Sequence, residues 1–556
     1  MQALRTTLIF LAAILVLPSC RNKTKEKELS IFINTHLAVV KPLVKETNLA
    51  YWTAANSGKE ADYQKVSELE LKLRKIYSDA NEFAYLKATK ESGQVKDKLL
   101  ARQLDRLYNA YLENQIDPEL MKKIVELGNT IEHNFSIFRG SIDGKKVTDN
   151  EIRGILKEAT VSAERQKAWE ASKQVGEVVA GDLITLVKLR NEAARRVGFD
   201  NYHTMSLALS EQDVKEVDKI FDELDKLTAE PFKKMKSELD EQLASNCGVA
   251  VKDLMPWHYH DPFFQESPLI YQIGLDIYYE AKDVKELAAK FYDSIGLPID
   301  SILEKSDLYE RDGKNPHGFC TDIDKEGDVR VLCNIKNNEY WMETMLHEFG
   351  HGVYDRYKNA QVPYLLREPA HIFTTEAVAM LFGRLSRDAQ WMKDMLGLSE
   401  EEKGRIEETC KKYAQLKQLI FARWAMVMYN FEKQLYANPD QDLNALWWNM
   451  VERYQFVQKP AGRNSPDWAA KIHFTIAPCY YHNYVMGELL ASQLHNRIAT
   501  KVLKNKGTSY VNHKEVGSYL KQKVFEPGAV YEWNTMIERA TGEKLTAKYF
   551  VGQFVQ

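Results

Sequence analysis

From about residue 31 to residue 310, apolar side chains recur every three or four positions with few interruptions. A chain patterned this way buries its apolar face as packed helices. The segments LELKLRKIYSDANEFAYLKA, LLARQLDRLYNAYLENQ and VKEVDKIFDELDKLTAEPFKKMKSEL carry the pattern most plainly. Breakers are scarce, with 27 Gly and 16 Pro in 556 residues. Asp117-Pro118, Gly140 and Gly144 read as turns between helices. Near residue 313 the rhythm changes. GKNPHGFCTDIDKEGDVRVLCNIK alternates over two short runs around a Gly-containing turn, which predicts a β-hairpin. Helical spacing resumes near 340 and continues to the end. With no repeat of fixed period and no linker, residues 31–556 are expected to form one mainly helical domain with a small sheet.

The N-terminus departs from this pattern. A short basic start, MQALR, is followed by TTLIFLAAILVLPS, an apolar run too short to span a bilayer comfortably. Residues 1–19 read as a signal peptide. Leu17-Pro18-Ser19-Cys20 resembles the lipobox of bacterial lipoproteins. That would make Cys20 the lipidated first residue, 20–30 a polar tether, and the location the cell envelope outside the cytoplasm. Simple secretion is the alternative. A net charge of −4 and the absence of any nucleic-acid-binding motif argue against a nucleic-acid partner. Of the remaining cysteines, Cys320 and Cys333 flank the hairpin turn. They either pair or, like Cys247, Cys410 and Cys479, serve as small core residues.

Chemistry concentrates in EYWMETMLHEFGHGVYDRY, residues 339–357. His347-Glu348-Phe349-Gly350-His351 is an HExxH motif. On a helix its two imidazoles share one face and can hold one metal ion, for which zinc suits imidazole nitrogen well. Glu348, beside the first ligand, can face a water without ligating the metal itself. A catalytic zinc needs a third protein ligand. Glu376 is the best candidate, because a carboxylate among Ile372, Ala379, Leu381 and Phe382 would be costly unless paired or metal-bound. Glu368 and His371 compete for the role. The histidines His36, His133, His203, His495 and His513 read as surface or capping residues.

The HEFGH helix, the segment LREPAHIFTTE and their spacing resemble the peptidyl-dipeptidases related to angiotensin-converting enzyme, and also the thimet oligopeptidase group that shares their fold. In both, the third zinc ligand is a Glu about 25 residues past the second His, which assigns that role to Glu376. The likeness extends to LYNAYLENQ, similar to the family's helical lid, and to the C-terminal KEVGSYLKQKVFEPGAVYEWNTMIERATGEKL. The implied fold is a zincin-like, mostly helical ellipsoid with a deep central groove and a small β-sheet next to the HExxH helix. The implied activity is zinc-dependent hydrolysis of short peptides by a monomer. His317 and Gly318 would line the groove. Lys471, Tyr481 and Gln265 would bind the substrate's C-terminal carboxylate, and His473 and Tyr484 would donate to the oxyanion.

This chain departs from the family in three places. Met380 stands where the family has an Asp that orients a zinc histidine, and Asp355, one turn past His351, is the expected substitute. The spacing from His473 to Tyr484 is one residue longer, which leaves the choice between Tyr480 and Tyr481 open. Asn483 replaces a chloride-binding Arg, so no chloride activation is expected there. The resemblance implies release of C-terminal dipeptides, with thimet-type endopeptidase action as the alternative. A helical surface lipoprotein that binds nutrients would share the helices and the anchor. It would not account for HExxH with a Glu at the right distance.

Overall fold

The helical spacing is realised as long helices stopped by local caps. A computed structural model describes residues 17–268, 270, 274–505 and 507–555. The leader reading therefore falls largely outside the described residues, as does the side chain of Cys20. Among the described residues, no helix is long and apolar enough to cross a membrane. Asp97 starts the helix Lys98–Glu113 by accepting from Leu100 N, and Asp117 does the same for Pro118–Ile137, with Pro118 in its first turn. Thr148 with Glu151, and Ser399 with Glu402, form reciprocal capping boxes on Asp149–Glu158 and Glu400–Ala437.

The first helix runs Leu17–Ser57, so the segment read as a polar tether is helical. The reason is packing. Leu29 and Ile33 join Leu86, Leu104, Leu107 and Tyr111 in a small core of their own, apart from the main one. The N-terminal helices Leu17–Ser57, Glu60–Tyr77, Ala80–Glu91 and Lys98–Glu113 thus share a second, smaller core. They are fastened to the body by polar contacts. Asn48 donates to the backbone of Asp322 and Ile323, and Arg106 bonds Glu368 at 2.8 Å.

The expected hairpin is present. Phe319–Asp322 pairs antiparallel with Val329–Leu332, Cys320 opposite Val331. A second, three-residue hairpin joins Gly140–Ile142 to Lys145–Val147, where the sequence had suggested only turns. Cys320 and Cys333 are both free thiols. These sheets, two strands each, are the regular β-structure among the described residues; the rest is helix and connection, the mainly helical zincin-like class expected. The main core gathers around the helices Glu339–Arg356, Ile372–Gly383, Glu400–Ala437 and His482–Arg497.

Candidate metal centre

The motif helix, Glu339–Arg356, is started by Asn338, whose side chain accepts from Trp341 N at 2.9 Å. Met342, Met345, Leu346, Phe349 and Val353 are fully buried and lie along one face. Each contributes roughly 1.5–3 kcal/mol by leaving water. With that face fixed in the core, His347, Glu348 and His351 must turn towards the groove. The two imidazole rings stand 4.9 Å apart, centroid to centroid.

Ile372–Gly383 crosses the motif helix at close range. A Cβ on Gly350 would come within 2.7 Å of Ala379 Cα, so only glycine allows the approach. The third element, His482–Arg497, is admitted the same way, since a Cβ on Gly487 would lie 3.3 Å from Glu376 Cβ and 3.2 Å from Met380 Sδ. Because of the first crossing, Glu376 Oε2 sits 3.7 Å from His347 Nε2 and 3.8 Å from His351 Nε2. One ligand atom from each residue lies within 4.8 Å of the others.

The competing residues are engaged elsewhere. Glu368 pairs with Arg106 and Lys325, and His371 caps the helix that carries Glu376 by accepting from Phe373 N. Asp355 does not orient a zinc histidine, contrary to the expectation. It is held by Lys358 at 2.9 Å, together with Asp322. The partner of His351 is Thr375, whose Oγ1 lies 2.7 Å from His351 Nδ1. An imidazole that donates from Nδ1 presents its Nε2 lone pair towards Glu376, as a metal ligand must.

Electrostatics favour a cation here. Burial lowers the pKa of His347 and drives that of His351 well down, so both rings are neutral. Burial and then the neighbouring Glu488 raise Glu376 to about 7. Burial and then Glu376 raise Glu348 to about 8, against a backbone hydrogen bond from Cys320. Two crowded, half-buried carboxylates facing two neutral imidazoles are relieved by a positive ion between them. Zinc bonds of about 2.0–2.1 Å put ligand atoms about 3.3 Å apart, close to the gaps seen here. The donor set fits zinc.

His347 and Glu348 line a cavity of about 890 Å³ that also takes in His317, Gly318, Gln265, Lys471, His473 and Tyr481. Gly318 closes on Thr344 and Glu348, where a Cβ would lie 3.0 Å from Thr344 Cγ2. His317 is exposed at the rim. At the far end, Lys471 Nζ donates to Gln265 Oε1 at 2.6 Å, and the Tyr481 hydroxyl accepts from Trp424 Nε1 at 2.7 Å. Lys471 is buried under Trp424 and Tyr481, with Nζ 5.2 Å and 5.5 Å from their ring centres. Burial lowers its pKa to about 8, opposed by Asp261. His473, lowered to about 4 by burial and then Lys471, keeps Nδ1 without a partner and stands 5.2 Å from the Tyr481 ring.

Tyr484 is half-buried, stacked edge-on against Tyr480 and Tyr481 at 5.2 and 5.4 Å. Burial and the charge of Glu376 raise its pKa. Tyr481 therefore belongs with Lys471, and Tyr480 with Tyr484 and Glu376. Asn483 accepts from Gln212 at 2.9 Å, a neutral contact where the resembled family carries a cation. Sequence reasoning missed Thr375 and Asp261. Asp261 accepts from the backbone N–H groups of Phe263, Gln265 and Glu266 and so fixes the loop that presents Gln265. An Asp two residues before a run of loop residues was the available signal for it.

A family model described as angiotensin-converting enzyme matches residues 23–259 and 269–554. Thermostable carboxypeptidase 1 of Pyrococcus furiosus is 21% identical over 532 residues, 87% of this chain and 97% of its own. An angiotensin-converting enzyme of Theromyzon tessulatum is 22% identical over 291 residues, covering 50% of this chain and 46% of its own length.

Proposed function

The chain belongs to the angiotensin-converting enzyme family of peptidases, and on that footing we propose that it is a zinc peptidyl-dipeptidase acting on short peptides. The observation that carries this reading is the convergence of His347, His351 and Glu376, with His347 and Glu348 lining the same cavity as the Lys471–Gln265 pair. His347, His351 and Glu376 would hold the ion. Bound there, zinc supplies Lewis-acid polarisation of a carbonyl and acidifies a water.

The chain's own residues do the rest. Glu348 Oε takes the proton of the attacking water and returns it to the leaving amine. Tyr484 Oη and a neutral His473 donate to the oxygen on which charge develops. Lys471, with Gln265 and Tyr481 around it, holds a free C-terminal carboxylate, and the rim at His317 and Gly318 takes substrate backbone. Thr375 keeps the His351 ring turned. The leader in residues 1–19 supports, as part of the same proposal, export and a lipid anchor at Cys20.

The carboxylate grip is tested by comparing a peptide with its C-terminally amidated form. The free acid is expected to be cut with at least about tenfold higher kcat/KM, the size of one lost charge-assisted contact. Equal cleavage would favour endopeptidase action instead. Product masses separate release of dipeptides from removal of single residues; the Pyrococcus relative is named a carboxypeptidase. Removing the orienting hydroxyl with Thr375→Ala is expected to weaken zinc affinity by about 10–100-fold, with Thr375→Ser retaining it, as read by competitive zinc titration.

A further inference from the structure

The two oxyanion donors proposed above, His473 and Tyr484, stand at the ends of one segment. It starts with the short helix His473–Ile476, turns at Cys479 and enters His482–Arg497. This is the stretch that is one residue longer than in the family. A single helical turn and a loop cannot hold two side chains in place by themselves, so the segment depends on what lies behind it.

Behind it are two buried charged side chains from two other helices. Arg190, on Ser162–Arg196, is 7% exposed. Its guanidinium donates to Phe474 O at 2.8 Å and to Thr475 O at 2.7 Å, the two carbonyls that follow His473. The Tyr436 hydroxyl accepts from the same fork at 3.1 Å and braces it. One turn before Tyr436 on Glu400–Ala437, Glu432 is 3% exposed and accepts from Cys479 N at 2.8 Å. Cys479 has a φ of +56°, a left-handed conformation that a residue other than glycine keeps only where its surroundings impose it. Neither Arg190 nor Glu432 lines the cavity.

Burying such groups is costly. Burial raises the Glu432 carboxyl to about 8, opposed by the Cys479 hydrogen bond and then by the charge of Arg190. Apart from the contact with Tyr436, the bonds above all go to backbone between the two donors. We propose that Arg190 and Glu432 are positioning residues for peptide cleavage, holding that backbone from behind so that His473 and Tyr484 meet the developing oxyanion. The inference rests on the oxyanion reading of His473 and Tyr484.

The test uses folded, zinc-loaded protein and reads kcat and KM separately on one short peptide. Arg190→Lys keeps the charge but loses the fork, and Glu432→Leu removes the acceptor. Each is expected to lower kcat by about tenfold or more while KM changes by less than about threefold. Glu432→Gln keeps an acceptor oxygen and is expected to hold kcat within about threefold of the parent. Once the donor itself is gone, its brace should matter little. Arg190→Lys in His473→Ala protein, and Glu432→Leu in Tyr484→Phe protein, are expected to cost less than about threefold further. Where Glu432→Leu does not fold, Glu432→Asp, which draws the acceptor back, is read in the same way. Unchanged kcat, a loss carried by KM, a Glu432→Gln loss as large as that of Glu432→Leu, or full additivity with the donor substitutions overturns the inference. If His473→Ala and Tyr484→Phe themselves leave kcat unchanged, the oxyanion reading fails and the inference with it. If they lower kcat while the substitutions behind them do not, the positioning role alone fails.

Discussion

Glu348→Gln is expected to give a folded protein that still takes up zinc but cuts peptides about a thousandfold more slowly or worse. The substitution keeps the shape of the side chain and its place on the motif helix, whose apolar face is fixed by Met345, Leu346 and Phe349. It leaves His347, His351 and Glu376 untouched. What it removes is the group that can take a proton, and such groups contribute about 10²- to 10⁴-fold. The site around it suits that task. Burial and the nearby Glu376 raise the Glu348 carboxyl to about 8, while the Cys320 backbone opposes them, so the group is held close to the point of exchanging a proton. Steady-state kinetics with metal analysis of the same preparation checks this. Full turnover by zinc-loaded Glu348→Gln would remove the general base from the scheme.

Stripping the metal with a chelator is expected to abolish peptide cleavage, and zinc to restore it. The treated protein should also melt earlier. Without an ion, Glu376 is pushed up to about 7 by burial and by Glu488, and two neutral imidazoles face it with nothing between them. A ligand that binds only the folded state adds about 4 kcal/mol when present at a thousandfold above its Kd. Activity and melting temperature should therefore rise together as zinc is added back. Cleavage that persists in protein shown to be free of metal would contradict the scheme.

The sequence made some of this site legible and hid other parts for a physical reason. HExxH places two imidazoles on one face because helical spacing is local, and 347 to 351 is a single turn. The hairpin at 319–332 was likewise readable from its alternation and its turn. Tertiary crossings were not readable. Thr375 was missed because the partner of His351 was sought one turn along its own helix, at Asp355, whereas the hydroxyl arrives from the helix that crosses at Gly350. Asp355 is held by Lys358 instead.

His36 and His203 were expected at the surface or as caps. They are buried, His36 against the Tyr111 hydroxyl at 3.2 Å and His203 against the Tyr429 ring. Their neighbours come from other helices, so local polarity gave no warning. The same holds for residues 20–30, where a polar composition concealed the Leu29 contact that binds the segment to the N-terminal helices.

In the proposed mechanism His347, His351 and Glu376 together hold one zinc ion. Anomalous diffraction from crystals of the purified protein, collected on both sides of the zinc edge, tests it most directly. A single strong peak is expected at bonding distance, about 2 Å, from Nε2 of both histidines and a carboxylate oxygen of Glu376. A peak at other residues, or zinc-supplied crystals of active protein with none at these three, would contradict it.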